Sequence, residues 1–273
     1  MSKSHTLPVK IDRGQGRPLV LLHGLGNNHE SWQFVLEHLD YSRWRVIVVD
    51  LLGFGDAPKP ELRYTPRDHS QAVAATLHDL GIEQAVVAGH SMGCIVAIDL
   101  AAENPQLVER LVLFGAPLYR REPRASRWRK LIRAEGLYFA LFNVVTEIPD
   151  LVQAGGQIAD ELVPFVKGME ITEETWPAYE QSLRHTIMQF ESYRQVARLD
   201  RPVLFVNGIF DFFIIRRNTY RLRWANRRHV KVATTRGPHE LTPQQGKVAA
   251  GMIDRFAGYG RRRSLKTKAT PHR

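Results

Sequence analysis

The chain has 273 residues, 44% hydrophobic and 24% charged, with 20 Gly and 15 Pro. That balance excludes collagen-like, low-complexity and wholly disordered chains, and the length allows one large domain or two small ones around an ample core. Its single cysteine, Cys94, closes no internal disulfide and builds no thiolate metal cage, and six of the cations behind the +10 net charge lie in residues 261–273, leaving 32 basic against 28 acidic side chains elsewhere.

Short apolar runs rich in β-formers alternate with helical stretches, the sequence form of a parallel sheet flanked by helices. A weak strand at Val9–Asp12 is followed by Leu19–Leu22, a helix over Ser31–Leu39, the strand Val46–Val49, and a helix over Arg67–Leu80 stopped by Gly81. Next come the strand Ala85–Ala88, a helix over Met92–Asn104 stopped before Pro105, and the strand Leu111–Phe114. Most of these strands are continuously apolar, as strands covered on both faces should be. Between Leu118 and Arg198 the alternation stops, with helical patterns and no strand pattern. Leu137–Val145 is too apolar for a solvated linker, and Ala154-Gly155-Gly156 and Val163-Pro164 divide the segment into several helices, so a helical lid over the sheet edge is expected. The apolar face of that lid, Leu137, Phe139, Leu141, Phe142, Val145 and Ile148, is expected to pack it onto the sheet, with pocket lining as the alternative. The rhythm resumes with Val203–Val206, a helix over Arg217–Ala225, the strand His229–Val232 and a helix over Gln244–Phe256.

The expected organisation is a core of 1–117 and 199–260, a lid of 118–198, and a basic, disordered tail of 261–273, with no internal repeat. No apolar run reaches the roughly 18 residues of a membrane span, and Met1-Ser2-Lys3-Ser4-His5 has no hydrophobic signal core behind it, so a cytoplasmic location is expected. Two further basic clusters stand out: Arg120–Arg133, seven cations against Glu122, and Arg216–Lys231, seven cations and no acid. Each reads first as a solvated face, and alternatively as a site for a phosphate, an anionic lipid or an acidic substrate. Without an aromatic-interleaved nucleic-acid motif, sequence-specific nucleic-acid binding is not expected.

Gly89-His90-Ser91-Met92-Gly93 follows a strand and opens a helix. A sharp turn there needs small residues at 89 and 93, lifts the Ser91 hydroxyl above the carboxyl edge of the sheet, and places it at a helix N-terminus, where the Met92 amide can donate to a developing oxyanion. Serine becomes nucleophilic only when an imidazole takes its proton, and the imidazole needs a carboxylate to fix its tautomer. Asp211, beyond the strand Val203–Val206, and His239, beyond His229–Val232, stand in loops at the same sheet edge. The turn His23-Gly24-Leu25-Gly26 supplies the Leu25 amide as second oxyanion donor, with His23 making a structural hydrogen bond beneath it. Cys94 reads as a small buried residue.

These residues carry a resemblance. Through HGLG at 23–26, DLLGFG at 50–55, GHSMG at 89–93, the Gly208 to Asp211 loop and Gly237-Pro238-His239, the chain resembles the α/β-hydrolase fold superfamily, of the serine-nucleophile, lidded esterase/lipase-like kind. The resemblance implies an α/β fold, a mostly parallel, doubly covered sheet of the α/β-hydrolase type with a helical lid inserted after the sixth strand. It implies a triad of nucleophile Ser91, acid Asp211 and base His239, with no cofactor and no metal, acting on a small-molecule ester of small to medium hydrophobic character. Epoxide hydrolases and haloalkane dehalogenases of this superfamily use an aspartate where this chain has Ser91, and are disfavoured. Carbon–carbon hydrolases of ring-fission products often have a tryptophan shortly after the histidine, whereas Glu240-Leu241-Thr242-Pro243 follows here. They stay as one alternative, a non-hydrolytic small-molecule binder as another. Leu52 stands where proline is usual, a neutral change in a turn. The basic tail is expected to make at most a weak contact with an anionic surface.

Overall fold

The computed structural model describes residues 5–119, 171–189 and 191–258. The Arg120–Arg133 cluster, the apolar face of Leu137 to Ile148, the breaks at 154–156 and 163–164, and the tail at 261–273 lie outside the described residues.

Seven strands form one sheet: β1 (Val9–Arg13), β2 (Arg17–Leu22), β3 (Trp44–Val49), β4 (Ala85–His90), β5 (Val108–Phe114), β6 (Val203–Gly208) and β7 (Val230–Thr235), in the spatial order β1-β3-β2-β4-β5-β6-β7. Among the described strands only β1 runs antiparallel to its neighbour, pairing Asp12 with Ile47. The parallel ladders set Leu19 against Val46, Val20 against Val87, Val87 against Leu111, Val112 against Leu204, and Phe205 against Val232. From β2 the chain steps to β3 on one side and then to β4 on the other, so the order reverses between β2 and β4. In an open parallel sheet the crevice at such a reversal, beyond the carboxyl ends of the strands, is where ligands sit.

Strand alternation divides the core into two layers. Val20, Leu22, Ile47 and Val49 pack with residues of α2 (Pro66–Asp79) and α3 (Met92–Glu103) on one face. Leu19, Leu21, Val46 and Val48 pack with residues of α1 (Gln33–Leu36) and α7 (Pro243–Ala257) on the other. Each fully buried Leu or Val contributes about 1.5–3 kcal/mol. The sheet is thus covered on both faces, as expected. The start of α2 is fixed by a capping box in which the Asp68 amide donates to Thr65 Oγ1 and the Thr65 amide to Asp68 Oδ2.

Two expectations need correction. The helix expected over Ser31–Leu39 is a short 3₁₀ turn, His29–Trp32, running into the single-turn α1. Asn28 rather than Ser31 caps it, because the Asn28 side chain accepts from the Glu30 amide at 2.8 Å. The segment expected as a lid leaves the sheet after the fifth strand, not the sixth, since a single strand precedes β2 among the described residues. Its described part holds α4 (Trp176–Ser182), which widens into a π-helical turn at Leu183–Met188, and α5 (Ser192–Arg198). Buried polar contacts tie these helices to the core. Thr186 Oγ1 donates to the Tyr64 carbonyl at 2.6 Å, Ser182 Oγ lies 3.2 Å from His69 Nε2, and the Gln195 amide donates to Asp99 at 3.1 Å. Two α/β units complete the sheet through α6 (Arg216–Ala225) and α7. Among the described residues no helix is long and apolar enough to cross a membrane.

Candidate active site

Ser91 sits between β4 and α3 with φ 51° and ψ −118°, a left-handed conformation that costs a non-glycine residue roughly 1–3 kcal/mol. The flanking glycines make the turn feasible. A Cβ on Gly89 would lie 2.5 Å from the Gly93 carbonyl oxygen, and one on Gly93 would collide with the Leu22 carbonyl and come within 2.6 Å of that of His23. The strand-to-helix elbow therefore closes only with two side chains missing. It is held from below by the Ser91 amide, which donates to the Phe114 carbonyl at 2.9 Å.

The structure brings the three distant side chains together. The Ser91 hydroxyl donates to His239 Nε2 at 2.9 Å, and His239 Nδ1–H donates to Asp211 Oδ2 at 2.9 Å. The other carboxylate oxygen of Asp211 accepts the Phe213 amide at 2.9 Å, which leaves Oδ2 aimed at the imidazole. Asp211 is almost fully buried, whereas the His239 side chain keeps an 11% opening. The Phe213 ring lies 5.0 Å from that of His239 and screens it. Asp211 fixes the imidazole in the tautomer whose Nε2 lone pair faces the serine, the arrangement a general base requires.

The two expected oxyanion donors are the backbone amides of Met92 and Leu25. Met92 is the first residue of α3, and Leu25 lies in the turn after β2, where a Cβ on neighbouring Gly24 would approach Ser91 Cβ at 3.2 Å. Neither amide donates to an acceptor among the described residues, so both N–H groups are uncommitted. His23 is not part of the relay. Its Nδ1–H donates to the Gly24 carbonyl at 2.8 Å and its Nε2 accepts the Leu51 amide at 2.9 Å, joining the β2 and β3 turns under the site.

Other supporting residues gave weaker sequence signals. His90 donates from Nε2 to the His239 carbonyl at 2.8 Å, tethering the loop of the triad histidine, while its Nδ1 is buried without a partner among the described residues. Gly115, just after β5 with φ +60°, makes room for the pair behind Ser91: a Cβ there would stand 3.0 Å from His239 Nδ1 and 3.2 Å from Asp211 Oδ2. A glycine ending an apolar strand was its only trace in the sequence. Asp50, fully buried after β3, accepts from the His29 amide and imidazole at 2.8 and 2.9 Å and from the Asp56 amide at 3.1 Å, which fixes the DLLGFG turn. Cys94 is buried, with its Sγ–H directed to the Gly89 and Phe114 carbonyls at 3.1 and 3.2 Å, and burial pushes its thiol well above the ordinary range. Among the described residues no cluster of His, Cys, Asp or Glu could hold a metal ion.

Burial holds three histidines neutral, bringing His23 and His90 down to about 4 and His69 to about 3. An unfolded imidazole takes up its proton near pH 6.5, so acidification below that point favours the unfolded chain, and the stabilisation present above pH 6.5 is lost progressively toward pH 4 for His23 and His90 and toward pH 3 for His69. At full effect His23 and His90 each account for about 3 kcal/mol and His69 for about 5 kcal/mol. Thermal melts are expected to show a transition several degrees lower at pH 5 than at pH 7. An unchanged transition would contradict the neutral, buried state of these rings.

Comparison with known proteins agrees with the fold. A family model described as alpha/beta hydrolase fold matches residues 17–239. The chain is 30% identical over 138 residues to (E)-2-((N-methylformamido)methylene)succinate hydrolase of Acinetobacter baylyi (strain ATCC 33305 / BD413 / ADP1), a match covering 50% of this chain and 51% of that protein. The curated relatives are matched over only 25% to 51% of their length. Among solved structures, the enol-lactonase of Burkholderia xenovorans LB400 superposes with a TM-score of 0.69 at 17% identity, over 92% of this chain and 96% of that one. A meta-cleavage product hydrolase of Pseudomonas fluorescens IP01 does so with a TM-score of 0.65 at 20% identity, over 91% and 93%. At such identities the likeness is one of fold.

Proposed function

Because the chain belongs to the alpha/beta hydrolase fold family, we propose that it is a serine hydrolase that cleaves carboxylic esters of small to medium hydrophobic character through an acyl-enzyme. The observation that carries this reading is the unbroken relay from the Ser91 hydroxyl through His239 to Asp211, supported by the uncommitted backbone amides of Met92 and Leu25.

In the first half-reaction His239 Nε2 takes the Ser91 proton as Oγ bonds to the ester carbonyl carbon. The Met92 and Leu25 amides receive the negative charge that forms on the carbonyl oxygen. Collapse breaks the bond to the alkoxy group, which leaves as the alcohol with the proton from His239. In the second half a water molecule gives its proton to His239 and attacks the acyl carbon, and Ser91 departs with that proton restored. Asp211 stabilises the imidazolium at each stage without being protonated itself. Each oxyanion amide contributes roughly 10²–10³-fold in turnover. Residues 118–198 form, in this reading, a lid over the same edge, anchored through α4 and α5.

The substrate class is tested with p-nitrophenyl esters of increasing chain length, thioesters and a ring-fission diketone, offered to the wild type and to Asp211→Asn. Ester turnover that falls by about 10⁴-fold in Asp211→Asn is expected, since the amide presents the wrong partner to Nδ1–H. A preference for the diketone would replace the ester reading with carbon–carbon cleavage, and no turnover of any of them would favour a non-hydrolytic binder.

A further inference from the structure

The outer face of α6 carries a pattern that the triad does not use. Between Phe212 and Pro238 the chain has seven Arg, one Lys and no acidic residue. The rotation of the helix is fixed by its inner side: Leu222 is buried, the Asn218 amide donates to the Leu118 carbonyl at 2.7 Å, and Thr219 Oγ1 accepts from Asn207 at 2.8 Å. Arg216, Arg217, Tyr220, Arg223 and Trp224 are therefore turned outward, at spacings of three, four and seven residues that stack them on one side of a helix about 15 Å long. Trp224 is 74% exposed, and the Arg227 guanidinium lies 3.9 Å from its ring centroid.

The cations of this stretch stand apart from carboxylates, with Arg227 over Trp224 and Lys231 5.9 Å from the Phe256 ring centroid. Elsewhere partly exposed cations find carboxylates, as in Arg45 with Asp12 and Arg184 with Glu180. None of the seven from Arg216 to Lys231 has a carboxylate partner among the described residues. A face that keeps an exposed tryptophan beside positive charge that no carboxylate offsets is complementary to a surface that is anionic and, just beneath, apolar. We propose that this face of α6 docks on an anionic phospholipid membrane, with the arginines on the headgroup phosphates and Trp224 at headgroup depth.

Two features favour a bilayer over a nucleic acid. One side of the Trp224 ring is already occupied by Arg227, which limits base stacking. The loop leading into α6 also exposes Phe210 at 58% and Phe212 at 70%, rings with no hydrogen-bonding group to offer a base edge but well suited to an interface with acyl chains. These two phenylalanines flank Asp211, so a docked membrane would lie beside the loop that carries the triad carboxylate. The inference does not depend on which bond the triad cleaves.

The test is co-sedimentation of the full chain with phosphatidylcholine vesicles, with and without phosphatidylserine. Wild-type protein is expected to bind only the vesicles that contain phosphatidylserine, with an affinity that falls as salt rises. Each cation near such a surface contributes roughly fivefold, so Arg223→Glu combined with Arg227→Glu should weaken binding by well over tenfold, and Trp224→Ala by several-fold, with thermal melts unchanged. The tail cations remain in every variant. Equal binding by wild type and the charge-reversed variant would assign any attraction to the tail and overturn the proposal. Tighter wild-type binding to duplex DNA or to polyglutamate than to the vesicles at equal salt would overturn it as well.

Discussion

Ser91→Ala is expected to lower kcat for ester hydrolysis by roughly 10⁴–10⁶-fold, because the triad works as a unit and the loss of its nucleophile removes nearly all of its contribution. The remaining machinery does not vanish with it. The proposed oxyanion amides of Met92 and Leu25 are untouched, and His239 stays bonded to Asp211, so residual turnover of about 10³–10⁴ over the uncatalysed reaction should persist. The fold should survive, since the hydroxyl donates only to His239 and the unusual backbone angles of Ser91 are set by the glycines around it. Steady-state kinetics paired with a thermal melt separates the two effects: a large loss in kcat with an almost unchanged transition is the expected pair. Retained turnover would remove Ser91 from the nucleophile position.

Gly93→Ala is expected to do the opposite, damaging the fold first. Its Cβ would meet the backbone carbonyls of Leu22 and His23, which belong to the central strand β2 and its turn and cannot rotate away as a side-chain tip would. Relief requires α3 to lift from the sheet. That would loosen a helix whose residues Met92 to Leu100 are buried throughout and would widen the gap between β2 and β4 where Ser91 is held. Overpacking of this kind costs about 3 kcal/mol or more, equivalent to a fall of at least about 5 °C in Tm for a chain of this length. Calorimetry or circular dichroism would show it. A transition within a degree of wild type would mean that the elbow is not packed as described.

Much of this architecture is legible in the residues because the relevant forces are local. A parallel strand buried on both faces must be apolar throughout, so LVLL, VIVV, AVVA and LVLF announce themselves, and the order of Ser91, Asp211 and His239 follows from the loops that close successive strands. What stayed hidden depends on partners far away in the chain. Nothing in the GHSMG motif assigns His90 a role; the fold sets its Nε2 against the carbonyl of His239, 149 positions downstream. His69 reveals its role only where Ser182 arrives from the inserted segment. The turn starts at His29 rather than Ser31 because Asn28 and Ser31 are both competent caps by composition, and only the backbone path decides between them. The strand count before the insertion came from the resemblance and not from the residues themselves, which show five. The cluster Arg216–Lys231 was visible as charge, but its aromatic partners became meaningful only once helix rotation placed Tyr220 and Trp224 among the arginines.

Active-site labelling with a fluorophosphonate probe, read by intact mass and peptide mapping, examines the nucleophile itself. Native protein should gain one probe per chain on the peptide that contains Ser91, more slowly when an ester substrate is present, and Ser91→Ala should gain none. Folded wild-type protein that hydrolyses esters yet takes up no probe, or takes it up on another residue, would contradict the relay assigned to Ser91, His239 and Asp211.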